Sequence, residues 1–280
     1  MRLQVQNINL DIISVGGLYT VVQLPNFKVS VDLGICPRSA FNKGHVFFTH
    51  THADHISGVI RHCASRRLLG LTPPTYVIGA EDAENFTNFM SVAGKMVRSD
   101  MEYNIKVVRP GDRIVINKQL CARSYRSIHK APCQGYVFFE LRNKLKPEYH
   151  GLPPSDLQGL REAGFTLSTE IETPLVSYTG DTTIDVFHRE TILQQVKVLI
   201  TEVTFFDKDV DKKEAKRRGH MHIDDIIDNP NLFQQPAIVL MHASSRFPGD
   251  AVKEILHSRV PTDILDRIHL VPNDAPLDGF

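Results

Sequence analysis

Residues 49–55 read Thr49-His50-Thr51-His52-Ala53-Asp54-His55, and they directly follow the apolar run Val46-Phe47-Phe48. An apolar run of this kind predicts a buried strand, so the histidine-rich segment lies where that strand ends. In an extended segment, side chains two residues apart face the same side, which would direct His50, His52 and Asp54 one way and the last histidine the other. Imidazoles and a carboxylate without a thiolate favour zinc, or less selectively manganese or iron, and the spacing predicts two neighbouring ions. A solvated loop would explain one of these histidines alone, but it explains the whole cluster poorly.

Later polar residues also stand directly after apolar runs, where strands are predicted to end. The segments are Arg126-Ser127-Ile128-His129, Gly180-Asp181-Thr182, Thr201-Glu202-Val203-Thr204 and His242-Ala243-Ser244-Ser245-Arg246-Phe247. Gly219-His220 stands apart from them and opens a helix-like stretch. Taken singly, His129 and His242 are better explained as ordinary surface or core histidines, and a plain turn is the alternative for Asp181. The first cluster favours metal binding for all three.

In this order, the pattern His-x-His-x-Asp-His and the later segments resemble ribonuclease Z of the metallo-β-lactamase superfamily, the endonuclease that trims the 3′ end of precursor tRNA. Residues 144–149 look most like the short plant-type members, and the resemblance runs from about Ser14 to Phe247. It implies an α/β fold, a four-layer αββα sandwich. One domain would span residues 1–280, with an inserted arm at about 142–173.

The resemblance implies a centre that holds two zinc ions per chain, with manganese as an alternative metal. It implies seven ligands: His50, His52 and His129 on one ion, Asp54, His55 and His242 on the other, and Asp181 between them. Metal-activated hydroxide would attack the phosphodiester, and Asp54 would orient the water or accept its proton.

The departing 3′ oxygen needs a proton that the metals cannot supply. His220 matches the donor position of the family, and Glu202 matches the acid that would raise its pKa and fix its tautomer. His222 stays an alternative donor because His-x-His recurs here, and a solvated strand-end carboxylate is the alternative for Glu202. Arg246 suits a phosphate ligand. The Glu202 and Gly219-His220 pair favours a nuclease over a lactamase or a thioester hydrolase.

The chain has 32 basic and 32 acidic residues, so its net charge of zero gives no global electrostatic attraction for RNA. Any polyanion must therefore be held locally. The richest basic patch, at 208–218, is interleaved with acids, and a solvated helix face explains it as well as an RNA contact does.

The resemblance implies that the arm clasps the tRNA elbow, often from the partner subunit of a homodimer. Arg142, Lys144 and Lys146 would then touch phosphates, whereas an ordinary surface insertion is the alternative. One departure from many bacterial members lies at residues 16–19, Gly-Gly-Leu-Tyr, where those members carry a loop with basic residues and Asn.

The four cysteines show no C-x-x-C pair, which predicts free thiols and an intracellular protein of the cytoplasm or nucleus. No secretory signal and no apolar run of membrane-spanning length is present, so no membrane partner is expected. A small-molecule or cyclic-nucleotide phosphodiesterase on the same two-metal centre is the alternative function. An inactive metal-binding scaffold is disfavoured because every proposed ligand is present.

Hydrophobic periodicity predicts N-terminal hairpins followed by alternating strands and helices. It predicts one helix over residues 55–69 and a second over 80–97. Strands are expected at 135–141 and 175–178, on either side of the arm, and at 237–241. Two sheets with helices outside fit this alternation.

Overall fold

The first half of the chain forms a sheet of short apolar strands in a computed structural model that describes residues 1–273. The seven strands lie in chain order: β1 (Arg2–Val5), β2 (Ile8–Val15), β3 (Tyr19–Leu24), β4 (Val29–Val31), β5 (His45–Phe47), β6 (Thr75–Gly79) and β7 (Asn104–Val108). The pairs from β1 to β4 are antiparallel, as the predicted hairpins require, and those from β4 to β7 are parallel. The sequence did not predict β1, because its four residues are mostly exposed and pair only with β2.

The second half forms another seven-stranded sheet. Its strands are β8 (Arg113–Asn117), β9 (Leu120–Ser127), β10 (Cys133–Leu145), β11 (Ser168–Tyr178), β12 (Val198–Glu202), β13 (Ala237–Met241) and β14 (Ile268–Leu270). The pairs from β8 to β11 are antiparallel and those from β11 to β14 are parallel. The short strand β14 was not predicted.

Helices connect the strands and cover the outer faces of both sheets. They are α1 (Ala53–Ile56), α2 (Val59–Leu68), α3 (Ala83–Val97), α4 (Pro154–Glu162), α5 (Asp185–Arg189), α6 (Lys212–Arg218), α7 (Ile223–Asp228), α8 (Gly249–Arg259) and α9 (Thr262–Leu265). The prediction of a single helix over 55–69 is wrong, because the helix is interrupted between α1 and α2. At the break the N–H of Gly58 donates to the carbonyl of Leu33.

Three apolar clusters define four layers. One cluster fills the space between the sheets, where Phe47 of β5 meets Tyr136 and Phe138 of β10 edge to face. A second packs α2 and α3 on the first sheet, and a third packs α5, α7 and α8 on the second. The predicted four-layer αββα sandwich is therefore confirmed.

The predicted arm is built from the sheet itself. Strands β10 and β11 continue past their predicted limits and pair from Arg142 with Ile171 to Leu145 with Ser168. The N–H of Lys146 then donates to the carbonyl of Leu167, and α4 lies at the tip. Nothing within residues 1–273 covers this hairpin as a second layer, so its side chains are mostly exposed and give little periodic signal.

One edge of the sandwich collects the segments that follow β4, β5, β9, β11, β12 and β13. Polar side chains can converge there, while the apolar strands before them stay buried. Within residues 1–273 no helix is both long and apolar enough to cross a membrane. All four cysteines are free and buried.

Candidate metal centre

The first group of polar side chains joins the loop after β5 to the loop after β9. His50, His52, His129 and Asp181 present ligand atoms within 4.8 Å of one another. Nδ1 of His52 lies 3.0 Å from Nε2 of His50 and 3.4 Å from Nε2 of His129. Burial lowers the pKa of His50 well below its usual range, so its ring is neutral and free to coordinate.

The second group joins α1 to the end of β13. Asp54, His55 and His242 also present ligand atoms within 4.8 Å of one another. Nε2 of His242 lies 3.4 Å from Oδ2 of Asp54 and 3.4 Å from Nε2 of His55.

Asp181 stands between the two groups. Its Oδ2 lies 3.8 Å from Nε2 of His50, and its Oδ1 lies 3.5 Å from Nε2 of both His55 and His242. Oδ1 is buried and has no hydrogen-bond partner among the described residues. A buried, orphaned carboxylate oxygen is costly unless it binds a cation. Together with five imidazoles and a second carboxylate, it fits a pair of divalent ions.

The structure corrects one expectation about the first cluster. His50, His52 and Asp54 do not share a direction with His55 opposed to them. Instead, His52 occupies the N-cap position of α1, which begins at Ala53, so the two-residue alternation of an extended chain stops there. Asp54 and His55 consequently turn together toward His242.

Hydrogen bonds orient the imidazoles by holding their other nitrogens. Nδ1–H of His55 donates to Oδ2 of Asp32 at 2.8 Å, which leaves Nε2 facing the cluster. Asp32 is fully buried and also accepts from the N–H of Thr49 and the hydroxyl of Tyr178. It therefore ties three segments to one carboxylate.

His129 is oriented by a backbone carbonyl. Its Nδ1–H donates to the oxygen of Gly219 at 2.8 Å. Gly219 has a φ of +86°, and a Cβ there would lie 2.8 Å from Nδ1 of His129. Only glycine allows this approach, because an L side chain would be strained and would collide with the ring.

A carboxylate and a histidine pair beside the seven residues. Nδ1 of His220 lies 2.8 Å from Oε1 of Glu202, which also accepts from the N–H of Thr182. Oε2 of Glu202 accepts from the hydroxyl of Thr204 at 2.5 Å, and that hydroxyl lies 3.1 Å from Nδ1 of His242. Glu202 is only 1% exposed, so it is not a solvated strand-end carboxylate.

The pair sets the charge of His220. Burial alone lowers the pKa of His220, but attraction and hydrogen bonding from Glu202, helped by Asp181, outweigh burial and raise the pKa to about 9. The pair therefore favours the imidazolium, and its Nε2–H makes no hydrogen bond among the described residues.

No family model matches the chain. It is 33% identical over 255 residues to tRNase Z TRZ1 of Arabidopsis thaliana, an alignment that covers 90% of each protein. It is 30% identical over 267 residues to the chloroplastic tRNase Z TRZ2 of Arabidopsis thaliana, covering 94% of this chain and 75% of the relative. The chain belongs to the tRNase Z family. The resemblance to ribonuclease Z that the motifs predicted is confirmed.

Solved structures show the fold of this tRNase Z family member. The metallo-β-lactamase fold protein YhfI of Bacillus subtilis superposes with a TM-score of 0.63 at 13% identity, covering 95% of this chain and 97% of that one. Human tRNase Z, short form, superposes with a TM-score of 0.57 at 14% identity, covering 85% of this chain and 93% of that one. Both confirm the metallo-β-lactamase fold.

His222, the alternative proton donor, is the N-cap residue of α7. Its Nδ1 accepts the N–H of Asp224 as the N-cap of α7, and its Nε2–H donates to the carbonyl of Asp207 at 2.9 Å. Both ring nitrogens are therefore engaged. His220 lies between α6 and α7 rather than at a helix start, and it is the member of this tRNase Z His-x-His segment that meets the cluster.

Arg246 lies against aromatic rings and an acid. Its guanidinium stands 4.8 Å from the ring centre of Phe247 and 5.5 Å from that of Phe205, and Nη2 lies 2.8 Å from Oδ1 of Asp207. Within the described residues it makes no hydrogen bond or ion pair with the seven clustered side chains. Its role toward phosphate stays a prediction.

The predicted RNA contacts lie on exposed surface. Lys144 is exposed and Lys146 half-buried, while Arg142 is exposed and pairs with Glu140 at 2.9 Å. In the patch at 208–218, Glu214 pairs with both Arg217 and Arg218. These pairs favour the solvated-face interpretation of the patch.

Asp32 and Thr204 are two polar partners that the sequence interpretation missed. Asp32 directly follows β4, so the strand-end rule that found Asp181 would have found it too. Asp32 and His242 also have positive φ angles of 56° and 64°, an uncommon conformation outside glycine that often occurs at functional sites. Thr204 had no signal beyond its place two residues after Glu202.

Proposed function

We propose that this protein is a metal-dependent endoribonuclease that removes the 3′ trailer of precursor tRNA, cutting after the discriminator nucleotide, with two zinc ions in the centre. The single observation that carries the proposal is the position of Asp181, between two ligand groups and 4.0 Å from the histidine of the Glu202–His220 pair. Membership of the tRNase Z family supplies the substrate class.

When bound, the two ions would supply an acidified water for in-line attack and neutralise charge on the scissile phosphate. Asp54 would orient that water or accept its proton. Burial raises the pKa of Asp54, but the hydrogen bond with His242 and attraction from His55 outweigh it and hold the pKa well below its usual range. The carboxylate is therefore ionised, and the N–H of Gly17 fixes its Oδ2 at 3.0 Å.

His220 would donate the proton that the departing 3′ oxygen needs. Glu202 holds Nδ1, so Nε2–H is the donor that remains. The same carboxylate is hydrogen-bonded to Thr204, whose hydroxyl lies next to His242. Glu202 therefore fixes the position of the proton donor relative to one ligand group. This gives Glu202 a positioning role.

We propose that the arm binds tRNA at a distance from the scissile bond. A single phosphate contact discriminates poorly, so a processing enzyme needs contacts elsewhere on the folded RNA. The hairpin formed by β10 and β11 carries Arg142 and Lys144 on a projecting, exposed element. Backbone phosphates are the groups these side chains would contact.

We also propose a homodimer formed through α2 and α3. Phe89, Val92 and Met96 lie on one side of α3 and are 42%, 53% and 78% exposed, and Leu68 at the end of α2 is 86% exposed. Arg67 of α2 donates to Ser99, just beyond α3, so the two helix ends adjoin. Clustered exposed apolar side chains of this kind mark protein interfaces.

Free, buried cysteines support action inside the cell, in the cytoplasm or nucleus, where thiols stay reduced. A relative from Triticum aestivum is named nuclear ribonuclease Z. Localising a tagged protein by microscopy tests this, and a secreted pool would contradict it.

The activity is tested with purified, zinc-loaded protein and a precursor tRNA carrying a labelled 3′ extension. We expect one cut after the discriminator nucleotide, leaving a 3′ hydroxyl, and loss of cleavage with chelator. Asp181→Asn should abolish cleavage, whereas Asp185→Asn, which alters an exposed carboxylate paired with Lys216, should not. Intact tRNA after incubation with metal-loaded protein would overturn the proposal. Preference for a cyclic nucleotide over tRNA in direct competition would support the small-molecule phosphodiesterase instead.

A further inference from the structure

A second concavity of about 200 Å³ adjoins the metal centre at the same edge of the sandwich. It lies where β6 and β7 end and β10 begins. Its apolar walls are formed by Val108, Pro110 and Pro132, together with Gly79 and Ala80. Apolar walls and a small volume suit one planar ring system.

The concavity is one residue away from the metal ligands. Cys133, in its wall, has Sγ 3.8 Å from Nδ1 of His50. The N–H of Gln134 donates to the carbonyl of Thr49, the residue before His50, at 3.0 Å. Nε2 of His50 faces His52 and Asp181, so a group bound in the concavity would be separated from a phosphate at the centre by the imidazole ring of His50.

Gln134 presents a fixed hydrogen-bond acceptor. Its side chain is buried, and its Nε2 donates to the hydroxyl of Tyr136 at 2.6 Å. That hydroxyl donates its own proton to the carbonyl of Phe48, so Gln134 must turn its amino group toward it. A Cβ on Gly79 would lie 3.3 Å from Nε2, so the glycine leaves room for the amide. Oε1 then accepts no hydrogen bond among the described residues, and it belongs to a side chain that lines the cavity.

Two arginines beside the cavity differ in whether they form an ion pair. Arg126 pairs with both oxygens of Glu81, whereas the guanidinium of Arg109 has no ion pair within residues 1–273. Asp82 adds a second acceptor to the wall. The site thus offers acceptors inside and a free cation beside them, which suits a ring with N–H donors on a phosphate-bearing chain.

The strand order separates this cavity from Glu202, the carboxylate that holds His220. Glu202 and His220 belong to the β12 side of the second sheet, the cavity belongs to the β9 and β10 side, and Asp181 after β11 lies between. His220 would protonate the 3′ oxygen of the upstream nucleotide. Because the upstream nucleotide would occupy the side of Glu202 and His220, the cavity lies on the side that is left for the downstream nucleotide.

We infer that the cavity receives the base of the nucleotide directly downstream of the scissile phosphate, and that Oε1 of Gln134 accepts a hydrogen bond from the exocyclic amine of adenine or cytosine. This inference rests on the proposed function. Single-stranded RNA is commonly read in this way, by splaying out a base and bonding its edge. Uracil turns an acceptor toward Gln134 at the equivalent position and is disfavoured.

The inference is tested with precursor tRNAs that differ only in the first trailer nucleotide, which is adenosine, cytidine, uridine or purine riboside, the adenosine analogue without the amino group. We expect removal of the amino group to lower kcat/KM at least fivefold for the unaltered protein, because the bound base would cover the acceptor Oε1 of Gln134 without giving it a partner. For Gln134→Met, the values of kcat/KM for the adenosine and purine riboside substrates should agree within twofold. Gln195→Met, on an exposed position, is the matched control and should keep the difference.

Ala80→Leu is a second variant, which narrows the cavity without altering the amide. It should raise KM for the adenosine and cytidine substrates and remove their advantage over uridine. Hydrolysis of bis(p-nitrophenyl) phosphate reports the metal centre independently in every variant, and Ala80→Leu alone carries the test if Gln134→Met loses that activity. Equal cleavage of adenosine and purine riboside substrates by the unaltered protein would overturn the inference and leave the proposed function standing. No cleavage of any precursor tRNA, with the small diester still hydrolysed, would overturn both.

Discussion

His220 and His222 stand two residues apart, yet their hydrogen bonds assign them different tasks. Nε2 of His220 is free beside the cluster, whereas both nitrogens of His222 are engaged in capping α7. We expect His220→Gln to lower kcat for tRNA cleavage by about 100-fold or more, since general acid catalysis contributes factors of that order. Zinc content measured by mass spectrometry should stay near that of the unaltered protein.

His222→Asn is the matched control, because asparagine is a good N-cap residue and keeps the bond to Asp224. Its kcat should stay within about threefold, the expectation for a cap replaced by another cap. The opposite result, a large loss in His222→Asn and a small one in His220→Gln, would give the donor role to His222.

At the residue scale, sequence reasoning found the side chains that follow predicted strands. His129, Asp181 and His242 were located in this way although they are far apart in the chain. It directed Asp54 to the same side as His50 and His52, which is wrong. The start of α1 cannot be predicted from a run of alternating histidines. Thr204 was missed because its importance comes from one hydroxyl that joins two residues distant in sequence.

The arm is an element whose removal leaves the rest of the fold intact. Replacing residues 147–166 by Asn-Gly should close β10 and β11 with a two-residue hairpin turn after the bond between Lys146 and Leu167. We expect kcat/KM for precursor tRNA to fall at least about tenfold, mainly through KM, because lost phosphate contacts weaken binding. Hydrolysis of bis(p-nitrophenyl) phosphate is the control and should be unchanged. An undiminished rate on tRNA would identify the arm as an ordinary surface insertion.

His62 ties α2 to the first sheet and makes this packing sensitive to acid. Its Nδ1 accepts from the hydroxyl of Tyr76, and its Nε2–H donates to the carbonyl of Ala40. Burial, with a smaller contribution from Arg66, lowers the pKa of His62 from 6.5 to about 4. The unfolded chain therefore takes up the proton first, so this stability is complete above pH 6.5 and is lost as the pH falls toward 4.

The effect is measured by urea unfolding of the unaltered protein and His62→Gln, both with chelator, at pH 7.5 and pH 5. We expect the unaltered protein to lose roughly 2 kcal/mol more of its free energy of unfolding than the variant does between these pH values. Equal losses in both proteins would show that His62 is not the group that titrates.

At the element scale, periodicity found the strands with a layer on both sides, and β13 was predicted at its observed limits. It failed where burial is one-sided or absent. The strands β1 and β14 are short and partly exposed, and the arm strands have no covering layer, so hydrophobic alternation is weak in all of them. The split between α1 and α2 arises from a hydrogen bond to Leu33, which lies on another segment.

For the whole molecule, the four layers could be expected from the family resemblance but not from composition. The exposed apolar face of α2 and α3 also appears only once the fold is known, since the amphipathic pattern of α3 does not say how wide its buried stripe is. Likewise, the net charge of zero does not reveal that histidines and carboxylates gather at one edge of the sandwich.

The proposed dimer is tested by light scattering. We expect the mass of two chains for the unaltered protein and of one chain for Met96→Glu, because a buried charge at an apolar interface is costly. Val115→Glu introduces the same charge at an exposed position on β8 and should stay dimeric. A single-chain mass for the unaltered protein would contradict the dimer.

We propose that seven side chains from four segments of the chain hold two metal ions. Anomalous diffraction at the zinc absorption edge, from crystals of the zinc-loaded protein, tests it most directly. Two peaks are predicted, one against His50, His52 and His129 and one against Asp54, His55 and His242, with Asp181 touching both. A single peak, or zinc bound away from Asp181, would contradict the account.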